Sequence, residues 1–467
     1  MPTCFHTRRL TPAIAQAIVA AGPPAAGKYK GCDYSQYTLT RFNGGPRVCG
    51  IPHPYPYSVL VERIHKDWAR IEPQIASNSS AIQPKEHPDG RLFIMDYGGQ
   101  HATSQRYLNK QSCAKFVVKA DIANFYPSLY THAIPWAIVG IDTAKQNTSA
   151  VQWYNALDRD IRLCRRAETN GVSIGPGTSS LVAEIVLSQI DRKLEKLYSY
   201  DRFIDDYTCY CDNRLQAESF VRALEAELAR YNLYLNFRKT AILSLPDAEV
   251  PEWIDSLGVE SLGANPSFYN VKVFLSRALH LVDRYLDGSV LRYAIHALSG
   301  RNFDAQTGSY VLRRLLSFGL SFPHVVSSIG PFMKFGFASN GSFRFSDELL
   351  ALIKSSSLAR RSDAMCWALW LAKQANVILS LEVESLVLKV YDTFGLVSLY
   401  QIAGAQTRRS ITRFTKTRIL TRPASVLERN WFLIHYLLNT GRLQIADVPD
   451  ESLRILKTQN INLFDYS

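Results

Sequence analysis

The chain has 467 residues, 47% of them hydrophobic and 20% charged, with no low-complexity tract and no apolar run long enough to cross a bilayer. That length exceeds what a single core serves, so two or three domains are expected, and the composition excludes disordered and fibrous classes. The net charge of +12 is concentrated late: residues 271–467 hold 24 Lys/Arg against 14 Asp/Glu, and residues 1–270 hold 29 against 27, which fits a polyanionic partner for the later part. Eight scattered cysteines show no zinc spacing, and the start of the chain has no signal-peptide core, so a reduced, cytoplasmic protein without a membrane partner is expected.

Taken in chain order, residues 11–21 form a short helix stopped by Gly22-Pro23-Pro24. A basic loop and strand over 41–54 lead into a helix over 57–71 whose apolar face is Leu60, Val61, Ile64 and Trp68. Residues 73–90, polar and proline-containing, read as a surface excursion. The apolar run 116–120 is a strand that ends on Asp121, followed by Ile122 and, a few residues on, Phe125 and Tyr126. A Gly-rich loop over 171–179 feeds a long amphipathic helix, whose N-terminus supplies donors for an anion. Residues 200–211 read as a β-hairpin with Asp205 and Asp206 at its tip. A helix over 216–231 follows, then a strand and turn over 233–240 carrying Lys239.

Asp121, Asp205 and Asp206 therefore stand at the ends of neighbouring strands. Three carboxylates so placed match what two Mg²⁺ ions need when they clamp the attacking and leaving oxygens of a phosphoryl transfer.

In this order the segments resemble polymerase motifs A to D of reverse transcriptases over residues 40–260. Ile51-Pro52-His53-Pro54, residues 126–132 and residues 174–179 resemble, more narrowly, the bacterial defence-associated and abortive-infection members. The resemblance implies an α+β fold: fingers within 1–115, a right-hand palm over 116–260, and an all-α domain over 261–467 in place of a conventional thumb. It places Asp121, Asp205, Asp206 and the adjoining Ile122 around two Mg²⁺ ions, for which Mn²⁺ can substitute. Phe125, Tyr126, Ile174, Gly175 and Lys239 would bind the dNTP, with Tyr126 as the aromatic gate against a ribose 2′-hydroxyl. Motif B usually reads Gly-x-Pro-Gln-Gly and here reads Gly171-Val172-Ser173-Ile174-Gly175. That departure points toward synthesis on a noncoding RNA or without a template, as some relatives carry out. Some relatives also attach the product DNA covalently through a protein hydroxyl, for which Tyr466 is one candidate here. A homo-oligomer is left open.

The last third reads as successive helices, at 271–286, 289–298, 309–318, 347–356, 361–374, 381–394, 425–438 and 451–457, giving a bundle or a HEAT-like helical repeat. Between them, residues 406–422 hold Arg408, Arg409, Arg413, Lys416, Arg418 and Arg422 with no acid, interleaved with Ser/Thr and Phe414, a pattern suited to a nucleic-acid backbone. Two other functional readings stand beside the polymerase. Arg429-Asn430 followed by His435 loosely resembles HEPN-type ribonucleases, and the palm could be an inert RNA-binding scaffold, against which the presence of all three acids argues.

Overall fold

The computed structural model describes residues 1–24, 29–85, 94–96, 100–246, 251–285 and 288–465. Strands β1 (Ser35–Thr40) and β2 (Pro46–Ile51) form a hairpin, and β3 (Gln83–Lys85) and β4 (Ile94–Asp96) a short ribbon. Strands β5 (Phe116–Asp121), β6 (Ser199–Phe203), β7 (Asp206–Cys211) and β8 (Ala241–Ser244) build the largest sheet among the described residues, antiparallel throughout in the order β6-β7-β5-β8. Successive residues Val117 and Val118 of the central β5 are both fully buried. Its near-continuous apolar run reflects cover on both faces. Helices Gly177–Leu194 and Arg214–Ala229 share that core. The architecture is α+β and mostly helical.

A second core is built from the helices after residue 251, and it reaches back to the start of the chain: Cys4, Ile18 and Tyr37 lie within it. The β1-β2 hairpin is fastened there by hydrogen bonds. The Thr40 amide and hydroxyl donate to the Asp363 carboxylate at 2.7 and 2.8 Å, the Thr38 amide to Ser362 Oγ at 3.0 Å, and Ser35 Oγ to the Arg429 carbonyl at 2.7 Å. From its other edge the hairpin reaches the first core, where the Gly50 amide donates to the Ile174 carbonyl at 3.0 Å. One hairpin thus joins both halves.

Several elements differ from the sequence reading. The expected helix over 57–71 is two, Pro54–Lys66 and Trp68–Ile75, broken at Asp67 where ψ swings to 12°. The expected helix over 381–394 breaks at Tyr391, which takes φ 56°, and the next helix is capped by the Asp392 side chain on the Gly395 amide. The one over 425–438 breaks at Asn430. The strand expected over 233–240 is reduced to a single bridge between Leu235 and Ile122, and the edge strand forms later, as β8. Part of the expected surface excursion is buried instead: Ser79, Ser80 and Ile82 are at most 5% exposed, because backbone bonds from the Arg202 amide to Ser79 and from the Ala81 amide to Arg202 tie this stretch to β6.

His53, at the start of helix Pro54–Lys66, is 1% exposed and meets Asp450 at 2.9 Å across the two halves. Burial opposes charge on the ring, but the Asp450 carboxylate outweighs it and lifts the imidazole from 6.5 to about 10, while Asp450 is held below its ordinary value. The Tyr55 amide approaches Nδ1 at 3.4 Å, a longer contact than the 2.9 Å one to Asp450. A raised folded-state pKa stabilises fully below the unfolded value and is lost as pH climbs through the folded one. The melting temperature is therefore expected to fall as pH rises from 6.5 toward about 10, and His53→Gln to flatten that slope in a pH series of thermal melts.

Candidate active site

The site is assembled where β5 and β7 run side by side. Asp121 ends β5 and pairs in register with Asp206, the first residue of β7. Phe203 pairs with Asp206, so the hairpin turn proper is Ile204-Asp205. This corrects the expectation that both acids occupy the tip: only Asp205 does, and Asp206 already belongs to the strand. Ile204 takes φ 56°, a left-handed conformation that a β-branched residue adopts at a cost of about 1–2 kcal/mol. Such strain collects at functional turns. The Ile122 amide donates to the Asp205 carbonyl at 3.2 Å and joins the turn to the end of β5.

Beneath the turn lies a buried ionic network. Arg202, fully buried on β6, donates Nη1 and Nη2 to Glu184 at 2.9 Å each, Nη2 to Asp191 at 2.7 Å, and Nη1 to the Ile204 carbonyl at 3.0 Å. Ser80 Oγ donates to Glu184 at 3.1 Å, and Ser77 Oγ and Tyr200 Oη to Asp191 at 2.7 and 2.9 Å. Glu184 and Asp191 lie two turns apart on helix Gly177–Leu194. A planar fork between two carboxylates locks that helix to the Ile204-Asp205 turn. Sequence reasoning missed this set; its signal is two acids seven residues apart on one face of a helix, among buried apolar residues.

The three carboxylates repel one another. Burial pushes the Asp205 carboxyl above its ordinary range, with Asp121 adding repulsion against the pull of Lys239 and Arg47. For Asp206, burial and then the neighbouring Asp205 and Asp121 raise it to about 6. Arg47, on β2, is a cation of the site that the sequence reading did not single out. Lys239 Nζ sits 2.7 Å from Asp121 Oδ2, and Asn236 Nδ2 donates to Oδ1 at 3.1 Å. Lys239 was expected beside a triphosphate; here it neutralises Asp121.

Among the described residues, no three His, Cys, Asp or Glu side chains already stand as a ligand set. The residues nevertheless fit a hard divalent cation: all three side chains are carboxylates, their mutual repulsion favours a positive partner, and Asp121 is already held by an ammonium.

The expected nucleotide-binding residues divide. Tyr126 is half-buried, its hydroxyl 3.2 Å from Ser180 Oγ on helix Gly177–Leu194. Phe125 is 3% exposed in the core, 5.2 Å from the Tyr126 ring, so it backs that ring and does not face a ligand, a correction to the sequence reading. Gly175 is exposed at φ 121°, a conformation that favours glycine, and the preceding Ile174 carbonyl is taken by Gly50. Tyr234 and Phe237, which flank Asn236, are each 65% exposed.

The basic run is helical, Ala405–Phe414 continued by a wide π turn, Thr415–Ile419. Arg409, Arg413, Arg418 and Arg422 are exposed, and among the described residues no ion pair engages them. Arg408 instead lies over the Tyr400 ring and donates to the Gln401 carbonyl, and Lys416 pairs with Asp447 at 3.0 Å. The Ser/Thr donors expected to reach a nucleic acid are turned inward: Ser410, Thr412, Thr415, Thr417 and Thr421 each donate to the carbonyl four residues back. Tyr466 lies outside the described residues.

The ribonuclease pattern does not assemble. His435 is 1% exposed and burial pushes its imidazole down to about 4, while Arg429 is drawn to Asp33 at 2.6 Å. His435 has no access to a phosphodiester from there.

No curated protein matches the chain. Among solved structures, apo telomerase from Candida Tropicalis truncated from its C-terminal domain is similar at 12% identity and TM-score 0.33, over 48% of this chain and 52% of that one. Apo telomerase from Candida Tropicalis is similar at 13% identity and TM-score 0.34, over 74% and 69%. Telomerase from Candida albicans in complex with a TWJ fragment of telomeric RNA gives 10% identity and TM-score 0.30, over 83% and 66%. The chain thus spans about half the length of the first of these. Residues 56–265 match the family model described as reverse transcriptase (RNA-dependent DNA polymerase), and that interval contains every carboxylate of the site. Over residues 56–265, a little under half of its length, the chain is thus similar to reverse transcriptases.

Proposed function

We propose that this protein is a Mg²⁺-dependent polymerase that adds dNTPs to a DNA strand, on a noncoding RNA template or without a template, in bacterial antiviral defence, as an abortive-infection type of reverse transcriptase. The observation that carries the chemistry is the pairing of Asp121 with Asp206 across β5 and β7, with Asp205 at the adjoining turn. Two divalent ions, when bound, supply electrostatic stabilisation to the attacking and leaving oxygens. Asp121 and Asp205 hold the charge centre, and Asp206 supports them. Lys239, released from Asp121, offers a cation to the triphosphate, and Arg47 adds a second from β2. Tyr234 and Phe237 present aromatic faces to bases beside the acids.

The defence role rests on the resemblance of the Ile51–Pro54, 126–132 and 174–179 segments, and the noncoding-RNA or untemplated synthesis on the altered motif B, Gly171 to Gly175. The same resemblance supports a product joined to a protein hydroxyl. The test is incorporation of labelled dNTP by protein purified with its bound nucleic acid, in Mg²⁺ and in Mn²⁺, followed by sequencing of that nucleic acid. No incorporation in either metal would overturn the reading.

Tyr126 closes the sugar side of the site in this reading. Tyr126→Val is expected to narrow the preference for dNTPs over NTPs by roughly 10- to 100-fold, read as the ratio of kcat/KM values.

A further inference from the structure

Three features of the basic helix go together. Its free cations are exposed arginines: Arg409 and Arg413 lie one turn apart, and Arg418 follows across the π turn. In an unbroken α-helix a five-residue step would swing Arg418 by about 140° from Arg413. The wide turn, closed by the Leu420 amide on the Thr415 carbonyl at 3.0 Å, holds more residues per turn and lessens that swing. The buried side, Thr407, Ile411, Thr415 and Ile419, stays anchored on the core.

The neighbouring acids are already spent. Glu384 accepts from the Gly404 amide and from Thr407, Glu382 pairs with Lys354, Glu428 with Arg166, and Asp447 with Lys416. The other helix hydroxyls, from Ser410 to Thr421, donate to carbonyls four residues back. What remains is guanidinium, whose contacts to phosphate carry no sequence information.

Beside the arginines the rings of Phe414 and Tyr391 stack at 4.5 Å and 17°, and Tyr391 is 54% exposed. Tyr391 is placed by its left-handed backbone at the break between two helices. A cationic track beside an exposed aromatic face suits a single strand, whose bases offer free π-faces, and not a duplex, whose bases are stacked inside.

We propose that Arg409, Arg413 and Arg418, with the outer face of the Tyr391–Phe414 stack, form a track for single-stranded DNA, the strand that the polymerase domain makes. The occupant's identity rests on the polymerase reading; the track itself does not. The helix holds the sugar-phosphate backbone, one arginine to a turn at a spacing of about 6 Å. Tyr391 takes a base.

The test is fluorescence anisotropy of a labelled oligodeoxythymidine added to the full chain, titrated at several salt concentrations. Substituting Arg409→Gln, Arg413→Gln and Arg418→Gln together should reduce the slope of log K against log salt by about 2. Lys334→Gln, Arg344→Gln and Arg360→Gln together, an equal loss of charge elsewhere on the domain, should leave it unchanged. Tyr391→Asn, which keeps the left-handed backbone, should weaken binding by roughly tenfold. An unchanged slope in the first variant, an equal fall in the second, tighter binding of a duplex or an RNA of the same length, or stronger competition by anionic vesicles would each overturn the proposal. Oligomer binding as expected with no dNTP incorporation would count against the polymerase reading alone, leaving the track standing.

Discussion

Arg202→Met is expected to cost about 3–5 kcal/mol of stability, because it strands Glu184 and Asp191 as uncompensated charges in the core. Arg202 is fully buried, so water cannot make up the loss. The same substitution releases the Ile204 carbonyl, and the strained turn that carries Asp205 loses its brace. Polymerase activity should therefore fall even at temperatures where the variant remains folded. Adding Glu184→Leu and Asp191→Leu should restore most of the melting temperature, since an apolar replacement of a buried ion pair is often neutral or stabilising. Activity should not return with it. Thermal melts beside single-turnover incorporation assays separate the two effects. If stability and activity recovered together, the network would be structural only.

Asp205→Asn is the second large effect. It is expected to lower nucleotide incorporation by about 10³-fold or more, equivalent to at least about 4 kcal/mol of barrier. Stability should move the other way or not at all. The Asp205 carboxyl is pushed up by burial and by Asp121, so removing its charge relieves a repulsion that folding has to overcome. An inactive protein with an equal or higher melting temperature distinguishes a catalytic carboxylate from one that holds the hairpin together.

The three acids could be picked out because each stands at the edge of a short apolar run, and local pattern is what a sequence displays best. The hairpin was legible for the same reason, but its turn was placed one residue late. Nothing in Phe203-Ile204-Asp205-Asp206 announces that an isoleucine will take the left-handed position. The helix breaks at Asp67, Tyr391 and Asn430 were hidden in the same way: no proline or glycine stands there, and the apolar periodicity runs through. Contacts between distant segments were the other blind spot. Glu184 and Asp191 could be seen to share a face of their helix, but Arg202 could not be matched to them without the register of β6. The Lys239 to Asp121 pair likewise depends on how residues 235–239 lie against the end of β5. Charge density predicted a basic surface over 406–422, while the fate of each cation and hydroxyl was decided by neighbours such as Tyr400 and Asp447.

The way the first residues enter the late core has a consequence for synthesis on the ribosome. Phe5 bridges to Phe464, and Cys4, Ile18 and Tyr37 are covered by helices formed after residue 251. A growing chain presents these apolar positions early and cannot cover them until the last helices have been made, some tens of seconds later at roughly 5–20 residues per second. The palm strands and their helices can close in the meantime. During that interval the β1-β2 hairpin has one of its two supports, the Ile174 backbone, and lacks the other. A nascent chain stalled before residue 363, where the Asp363 carboxylate that receives Thr40 enters the sequence, would hold a nearly complete polymerase half with its hairpin fastened on one side only.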